Sequence, residues 1–316
     1  MNAEPLVSVV LPTHNRAALL RRAIDSVLAQ SYRDLELIVV DDASSDDTPD
    51  IVRPYTDPRL RYLRLEQNRR AAAARNAGVT QSRGALLAFQ DDDDIWLPEK
   101  LARQVPALLR APADVGLNLC AHLRLEPSGE VRIGGPGPFA ALRFDRGPFG
   151  NFSLVGTPGW LLRRECFERA GGFDERMRAW DDWELALRLS RICRFEHLDE
   201  VLWQQDRRRE GARGMVDSPR NFGNDLRVLI EKHAAQWPAQ VVSRQWYLAG
   251  FCDAAAADTA NARPALRRAV QVDPRNLKAW VALALAYCGP RAFATVTAGT
   301  RLVTSRFASR RGVLEL

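Results

Sequence analysis

The sequence predicts an α/β protein: a mostly parallel central sheet flanked by helices, followed by an all-helical C-terminal extension. Three observations carry this. Short β-branched runs alternate with segments of helical apolar spacing through about residue 112, the pattern of strands joined by crossover helices. Three of those runs end in polar clusters: Thr13-His14-Asn15, Asp41-Asp42 and the four aspartates 91–94. Beyond about residue 210 the strand-like runs stop and Ala-rich helical segments take over.

Leu6-Val7-Ser8-Val9-Val10-Leu11, closed by Pro12, reads as a first buried strand. Leu20, Ala23, Ile24, Val27 and Leu28 put an amphipathic helix over about 16–30. Glu36 through Val40 form a second strand. Ile51, Val52 and Tyr55 mark a short helix, and 59–65 an edge-like strand. An Ala-rich helix over 71–79 leads through Gly84 into the strand 85–90, and Pro98 opens the next helix. After Pro112 come strands at 115–119 and 122–125, a hairpin turn at 127–130, a Gly- and Pro-rich stretch at 134–150, and a strand at 160–162. A short helix ends at Gly171-Gly172, another opens at Trp180-Asp181-Asp182-Trp183-Glu184, and 195–198 and 201–204 read as closing strands. In the tail, Ala265 to Ala269, Asp273-Pro274, Ala279-Trp280 and Leu283 resemble one tetratricopeptide-like hairpin. The expected division is 1–210, with halves at about 1–112 and 113–210, and a helical extension at 211–316.

The chain has 316 residues and a net charge of +6, a balance that suits anionic partners. Five cysteines, odd in number and with no Cys-x-x-Cys pair, argue against a disulfide framework and a zinc knuckle. No basic leader or cleavage site precedes the first strand, so no signal peptide is expected. The longest apolar run, 279–288, is too short to span a bilayer. A cytoplasmic protein is expected. The Arg residues 301, 306, 310 and 311 alternate with Leu302, Val303 and Phe307, which leaves a solvated helix face or peripheral attachment to the inner membrane face open.

The aspartates 91–94 directly follow the apolar run 85–89. Unit charges a few Å apart repel by roughly 1–4 kcal/mol per pair between water-like and surface-like dielectrics. A run of four at the end of a buried strand must be solvated, protonated or neutralised. A divalent cation at the carboxyl end of a strand is the leading reading, since open α/β sheets bind ligands there.

Five segments in order resemble a known family. They are 7–15 (Val-Ser-Val-Val-Leu-Pro-Thr-His-Asn), 37–44 (Leu-Ile-Val-Val-Asp-Asp-Ala-Ser), Asn68 with 74–78 (Ala-Arg-Asn-Ala-Gly), the acidic run with Trp96 and Pro98, and Gly171-Gly172-Phe173-Asp174 with 180–185. Together, over about 6–205, they resemble family 2 glycosyltransferases of the GT-A fold. The resemblance implies a nucleotide-diphosphate-sugar donor, UDP-linked, a divalent metal, Mn2+ or Mg2+, and inversion at the anomeric carbon.

It places Asp42 at the base, and Pro12, Thr13, His14 and Asn15 near base and ribose. Trp96 and Pro98 set a register in which Asp93 is the metal ligand and Asp91 and Asp92 serve the ribose and metal waters, with Asp91 also a metal candidate. Asp94 is left as a cap for the turn into Pro98. Arg75 and Asn76 are candidate donor contacts, Arg75 because a guanidinium beside an anionic pocket suits a diphosphate. Asp182 is the candidate general base. For Asp42 and Asp182 the alternative is an ordinary helix cap. Two departures stand out: Arg70 occupies a position where the family often has Gly, and the Arg residues 207–209 replace a segment that often carries His.

The expected function is transfer of a sugar to a hydroxyl of a glycan, lipid-linked or protein acceptor in cell-surface polysaccharide synthesis, with no nucleic-acid partner. The alternatives are a sugar-phosphate nucleotidyltransferase, which would carry a Gly-rich phosphate loop after the first strand, and a non-catalytic scaffold whose helical tail binds protein.

Overall fold

The computed structural model describes residues 5–126, 128–129, 131–134, 156–206 and 219–293. The stretch 135–150 and the Arg residues 207–209, 301, 306, 310 and 311 lie outside the described residues. The chain divides into two compact units, with the change of unit near residue 214.

In chain order the first unit contains β1 (Val7–Thr13), α1 (Ala17–Leu28), β2 (Leu35–Asp41), α2 (Thr48–Val52), β3 (Leu60–Arg64), α3 (Arg70–Thr80) and β4 (Leu86–Phe89). It continues with β5 (Asp94–Trp96), α4 (Lys100–Arg110), β6 (Val115–Leu125), β7 (Val131–Gly134), β8 (Trp160–Arg163), α5 (Arg164–Ala170), α6 (Asp181–Leu189) and β9 (Arg194–Asp206). Among the described residues one sheet of nine strands runs β3-β2-β1-β4-β8-β6-β9-β5, with β7 paired on β6. The stretch β3-β2-β1-β4 is parallel, and β6 also pairs parallel with β9. The remaining pairings are antiparallel. This is the sheet flanked by helices that the sequence predicts.

Every residue of β1 and β2 is buried. That is why these strands read as unbroken apolar runs rather than alternating ones: both faces are covered. From α1, Leu19, Leu20, Ala23, Ile24 and Val27 pack inward. Ala72, Ala73 and Ala74 of α3 are buried, and a Cβ on Gly78 would lie 2.4 Å from Val10 Cγ1 and 3.0 Å from Val40 Cγ2. Small residues therefore let α3 lie close against β1 and β2, which brings Arg75 to the edge where the strands end.

The two strands expected at 115–119 and 122–125 are one strand, β6, and those at 195–198 and 201–204 are one, β9. Register shifts between Cys120 and Ala121 and between Ala121 and His122 interrupt their pairing, and a bulge breaks the period-two pattern that marks a strand in sequence. Asp94 is corrected too. It caps no helix but opens the short strand β5, where it pairs with Gln205 of β9.

Among the described residues the second unit contains α7 (Pro219–His233), α8 (Ala239–Ala255), α9 (Thr259–Val272) and α10 (Leu277–Cys288). Asp258 and Asn276 cap α9 and α10 by accepting from Asn261 N and Ala279 N, each cap satisfying an otherwise unpaired N–H. Ala262, Leu266, Ala282 and Ala286 form the seam where α9 and α10 meet, with Phe293 beside them. Among the described residues no helix is long and apolar enough to cross a membrane.

Candidate active site

Thr13 at the end of β1 is level with Asp41 at the end of β2, and Val10 with Phe89 at the end of β4. The polar loops after these three strands therefore share one edge. The first two are tied together. Asn15, at φ 54, donates its N–H to Ser44 Oγ (3.0 Å), and its Oδ1 accepts from Ser45 N (2.7 Å). His14 Nδ1 donates to the Asp42 carbonyl (2.7 Å), which leaves Nε2 to accept from Asn15 Nδ2 (3.1 Å). Both ring nitrogens of His14 are thus engaged in holding the loop. Pro12 is a buried strand residue opposite Val40.

The neighbours Asp41 and Asp42 do different work. Asp41 is fully buried and accepts from Ser44 N (2.7 Å), Tyr62 Oη (2.5 Å) and Arg64 Nη1 (3.2 Å). Asp42 accepts from the backbone N–H groups of Arg69 (2.7 Å) and Arg70 (2.6 Å) at the start of α3. Arg70 aims its N–H there from φ 72, a left-handed conformation that costs a residue with a Cβ about 1 kcal/mol.

The aspartates 91–94 form a turn closed by Asp94 N donating to the Asp91 carbonyl (3.2 Å). The Gln90 side chain, fully buried, donates through Nε2 to the Asp94 carbonyl (2.7 Å) and staples the turn from inside. Each carboxylate has its own surroundings. Asp91 accepts from Arg75 Nη2 (2.7 Å). Asp92 accepts from Thr13 Oγ1 (2.8 Å) and Arg16 Nη1 (3.1 Å). Asp93 accepts from the same Arg16 nitrogen (2.8 Å). Asp94 is buried, and its Oδ1 has no donor among the described residues.

Burial is the main cause lifting the pKa of Asp92 to about 7, against the pull of Arg16. Burial and the Asp91 charge raise Asp93. Burial, followed by the charges of Asp93, Asp91 and Asp92, holds Asp94 well above the carboxylate range.

Arg75 crosses from this turn to α6. Its Nη2 reaches Asp91, its Nη1 donates to Asp181 Oδ2 (2.5 Å), and the guanidinium lies 5.4 Å from the centre of the Phe173 ring. Sequence reasoning assigned Arg75 to the diphosphate; here both terminal nitrogens are bonded to carboxylates. Asp182 is half-buried and accepts from Trp183 N (2.7 Å). Burial and the Asp181 charge raise its pKa to about 8. Asn76 donates to the Phe173 carbonyl (2.9 Å) and to Glu175 (3.2 Å), and accepts from Phe173 N (2.9 Å), so its amide fixes the turn before α6. A Cβ on Gly172 would sit 2.8 Å from Asn76 Oδ1, which is why that turn requires glycine.

Arg16 and Gln90 were missed in the sequence. The signal for Arg16 was its place directly after the first polar loop; Gln90 gave none, because it reads as the last residue of a strand.

The donor set is oxygen only, which suits Mg2+ or Mn2+. Among the described residues no three His, Cys, Asp or Glu side chains converge on one point. A cation here would take one or two carboxylates and fill its shell from phosphate and water, the usual habit of Mg2+ beside a nucleotide. Asp94 Oδ1 is buried without a donor among the described residues, and burial followed by mutual repulsion raises the pKa values of Asp93 and Asp94, a penalty that a bound cation would relieve. The residues therefore fit a divalent cation.

Residues 8–169, just over half of the chain, match the model of the family described as Glycosyl transferase family 2. The chain belongs to this family. A putative teichuronic acid biosynthesis glycosyltransferase of Bacillus subtilis is 40% identical over 110 residues, 34% of this chain and 44% of that protein. The match spans 33% to 63% of the length of the first curated relatives, which include a succinoglycan biosynthesis protein of Rhizobium meliloti. Among solved structures, S. aureus TarS in complex with UDP-GlcNAc has a TM-score of 0.69 at 18% identity, covering 93% of this chain and 92% of that one. A mannosyltransferase of Pyrobaculum calidifontis in complex with GDP-Man and Mn2+ has a TM-score of 0.54 at 24% identity, over 96% and 81%. At these identities the structural likeness shows the GT-A fold alone.

Proposed function

We propose that this family 2 protein is an inverting glycosyltransferase that moves a sugar from a UDP-linked donor to an acceptor hydroxyl in cell-surface polysaccharide synthesis. The observation that carries the reading is the Arg75 bridge: one guanidinium joins Asp91 of the acidic turn to Asp181, beside Asp182. This bridge supports a reading in which the leaving-group side and the attacking side of a displacement face each other.

Thr13 and the backbone after β1 line the donor side with Asp42, and Asp93 is the metal ligand with Asp91 as a further candidate. Mn2+ or Mg2+ bound there would offset the charge that builds on the departing diphosphate. Asp182 takes the proton of the acceptor hydroxyl, and its raised pKa makes it a stronger base than an exposed carboxylate. The acceptor oxygen forms its bond to the anomeric carbon as the bond to the diphosphate oxygen breaks, with inversion. The first unit would supply this chemistry, with donor contacts in about its first 112 residues and the acceptor side in about 113–210, and the helices of the second unit would serve protein binding. A cytoplasmic location, at or near the inner membrane face, fits a lipid-linked acceptor.

Asp93→Ala and Asp182→Asn should each lower transfer at least a hundredfold, measured as nucleotide release with a panel of nucleotide sugars and Mn2+. Only Asp93→Ala should weaken metal-dependent nucleotide binding by calorimetry. Unchanged metal and nucleotide affinity in that variant would remove Asp93 from the metal.

A further inference from the structure

Arg16 stands where the first loop enters α1. Its carbonyl accepts from Leu19 N (2.9 Å) and Leu20 N (3.2 Å). The residue before it is pinned by Ser44 and Ser45. The backbone of Arg16 is therefore fixed at both ends, and only its side chain has room to move; that side chain is 24% exposed. One of its nitrogens, Nη1, lies 3.1 Å from Asp92 Oδ1 and 2.8 Å from Asp93 Oδ2.

We propose that Arg16 is the resident counter-cation of the acidic turn, and that it must release Asp93 before a divalent cation is held there. The inference rests on the assignment of Asp93 to the metal. A guanidinium nitrogen between two carboxylate oxygens fills the position from which a cation would engage Asp93, and two cations at that spacing repel. Metal arriving alone must therefore break the charge-assisted hydrogen bond from Arg16 to Asp93.

A nucleoside diphosphate changes that balance in two ways. Its oxygens complete the metal's shell, and they offer the displaced guanidinium a new anion within reach of the same side chain. Metal and donor then load together, each raising the affinity for the other by the same factor, as linkage requires. Between turnovers, with neither metal nor donor present, Arg16 also offsets the charges of Asp92 and Asp93, as Arg75 does that of Asp91.

The test is Mn2+ binding by electron paramagnetic resonance, alone and with saturating UDP, on the wild-type chain, Arg16→Gln and Arg16→Lys. Arg16→Gln should bind Mn2+ alone about tenfold more tightly than wild type, equivalent to about 1.4 kcal/mol. Its affinity should rise less on adding UDP. Arg16→Lys, which keeps a cation at the position, should stay within about threefold of wild type. Thermal unfolding of each variant confirms that it is folded. Equal or weaker Mn2+ binding by folded Arg16→Gln, with wild type still binding Mn2+ in the presence of UDP, would overturn the counter-cation role alone. No Mn2+ binding by any of the three proteins with UDP would overturn the metal assignment as well.

Discussion

Replacing Arg75 with Met should destabilise the protein by about 3 kcal/mol. The side chain is 8% exposed and is held between Asp181, 12% exposed, and Asp91, 33% exposed. Removing one partner of a buried ion pair costs roughly 3–5 kcal/mol, because the charge left behind is uncompensated. The Asp91 share is discounted, since a carboxylate one-third exposed can turn to water. The Asp181 share is not, and Asp182 next to it loses a neighbouring positive charge that now lowers its pKa. The Phe173 contact adds a fraction of a kcal/mol. Met fills most of the vacated volume, so little of the loss comes from a cavity.

Urea unfolding followed by tryptophan fluorescence reads the effect, since five of the eight tryptophans lie before residue 204. The double variant Arg75→Met/Asp181→Asn should recover about half of the loss, because the carboxylate that loses its guanidinium partner is then neutral. A single variant within about 0.5 kcal/mol of wild type would refute the reasoning: it would mean both carboxylates are solvated and the bridge is a surface pair.

Three further outcomes follow from the geometry. Arg70→Gly should stabilise by at most about 0.5 kcal/mol, the relief at φ 72 slightly outweighing the added freedom of the unfolded chain; a loss above about 1 kcal/mol in the same urea titration would show that the Arg side chain holds the loop. Gly78→Ala should cost about 1–3 kcal/mol by overpacking against Val10 and Val40, and Val10→Ala in the same chain should restore part of it. His122 is stacked on Trp203, with ring centres 4.5 Å apart, and burial, helped by Arg124, lowers its pKa to about 4. The unfolded chain takes up that proton near pH 6.5 and the folded chain does not, so this contribution is complete above pH 6.5 and is lost as pH falls toward 4. Its full size is about 3 kcal/mol at roughly 1.4 kcal/mol per unit, and unfolding midpoints of His122→Phe between pH 7 and 5 should be flatter than those of wild type.

The parallel half of the sheet was legible because β1, β2 and β4 are buried on both faces and cannot avoid apolar runs. The shared edge followed from it, since crossover connections put the strand ends on one side. What stayed hidden depends on contacts distant in sequence. Arg75 and Asp181 are 106 positions apart, and nothing in either neighbourhood announces the other. β5 is three residues long and begins with an aspartate, so its strand character comes only from the partner β9. Asp42 shows the converse: the sequence singles it out, but not that two backbone N–H groups at the start of the next helix donate to its carboxylate.

The acidic turn also sets the curvature of the sheet. β4 lies near the middle of the strand order and β5 at its far edge, with β8, β6 and β9 between them. In a flat sheet four strand spacings would separate the two by about 19 Å. Yet the Gln90 side chain at the end of β4 touches the Asp94 carbonyl at 2.7 Å. The antiparallel half must therefore roll round until its last strand returns to the middle, and the aspartates are the stitch that shuts the seam. A ligand that tightens or loosens this stitch pulls on residues 203–205 of β9. Hydrogen exchange at those three amides would then report occupancy of the cleft from a strand that contributes none of the assigned site residues.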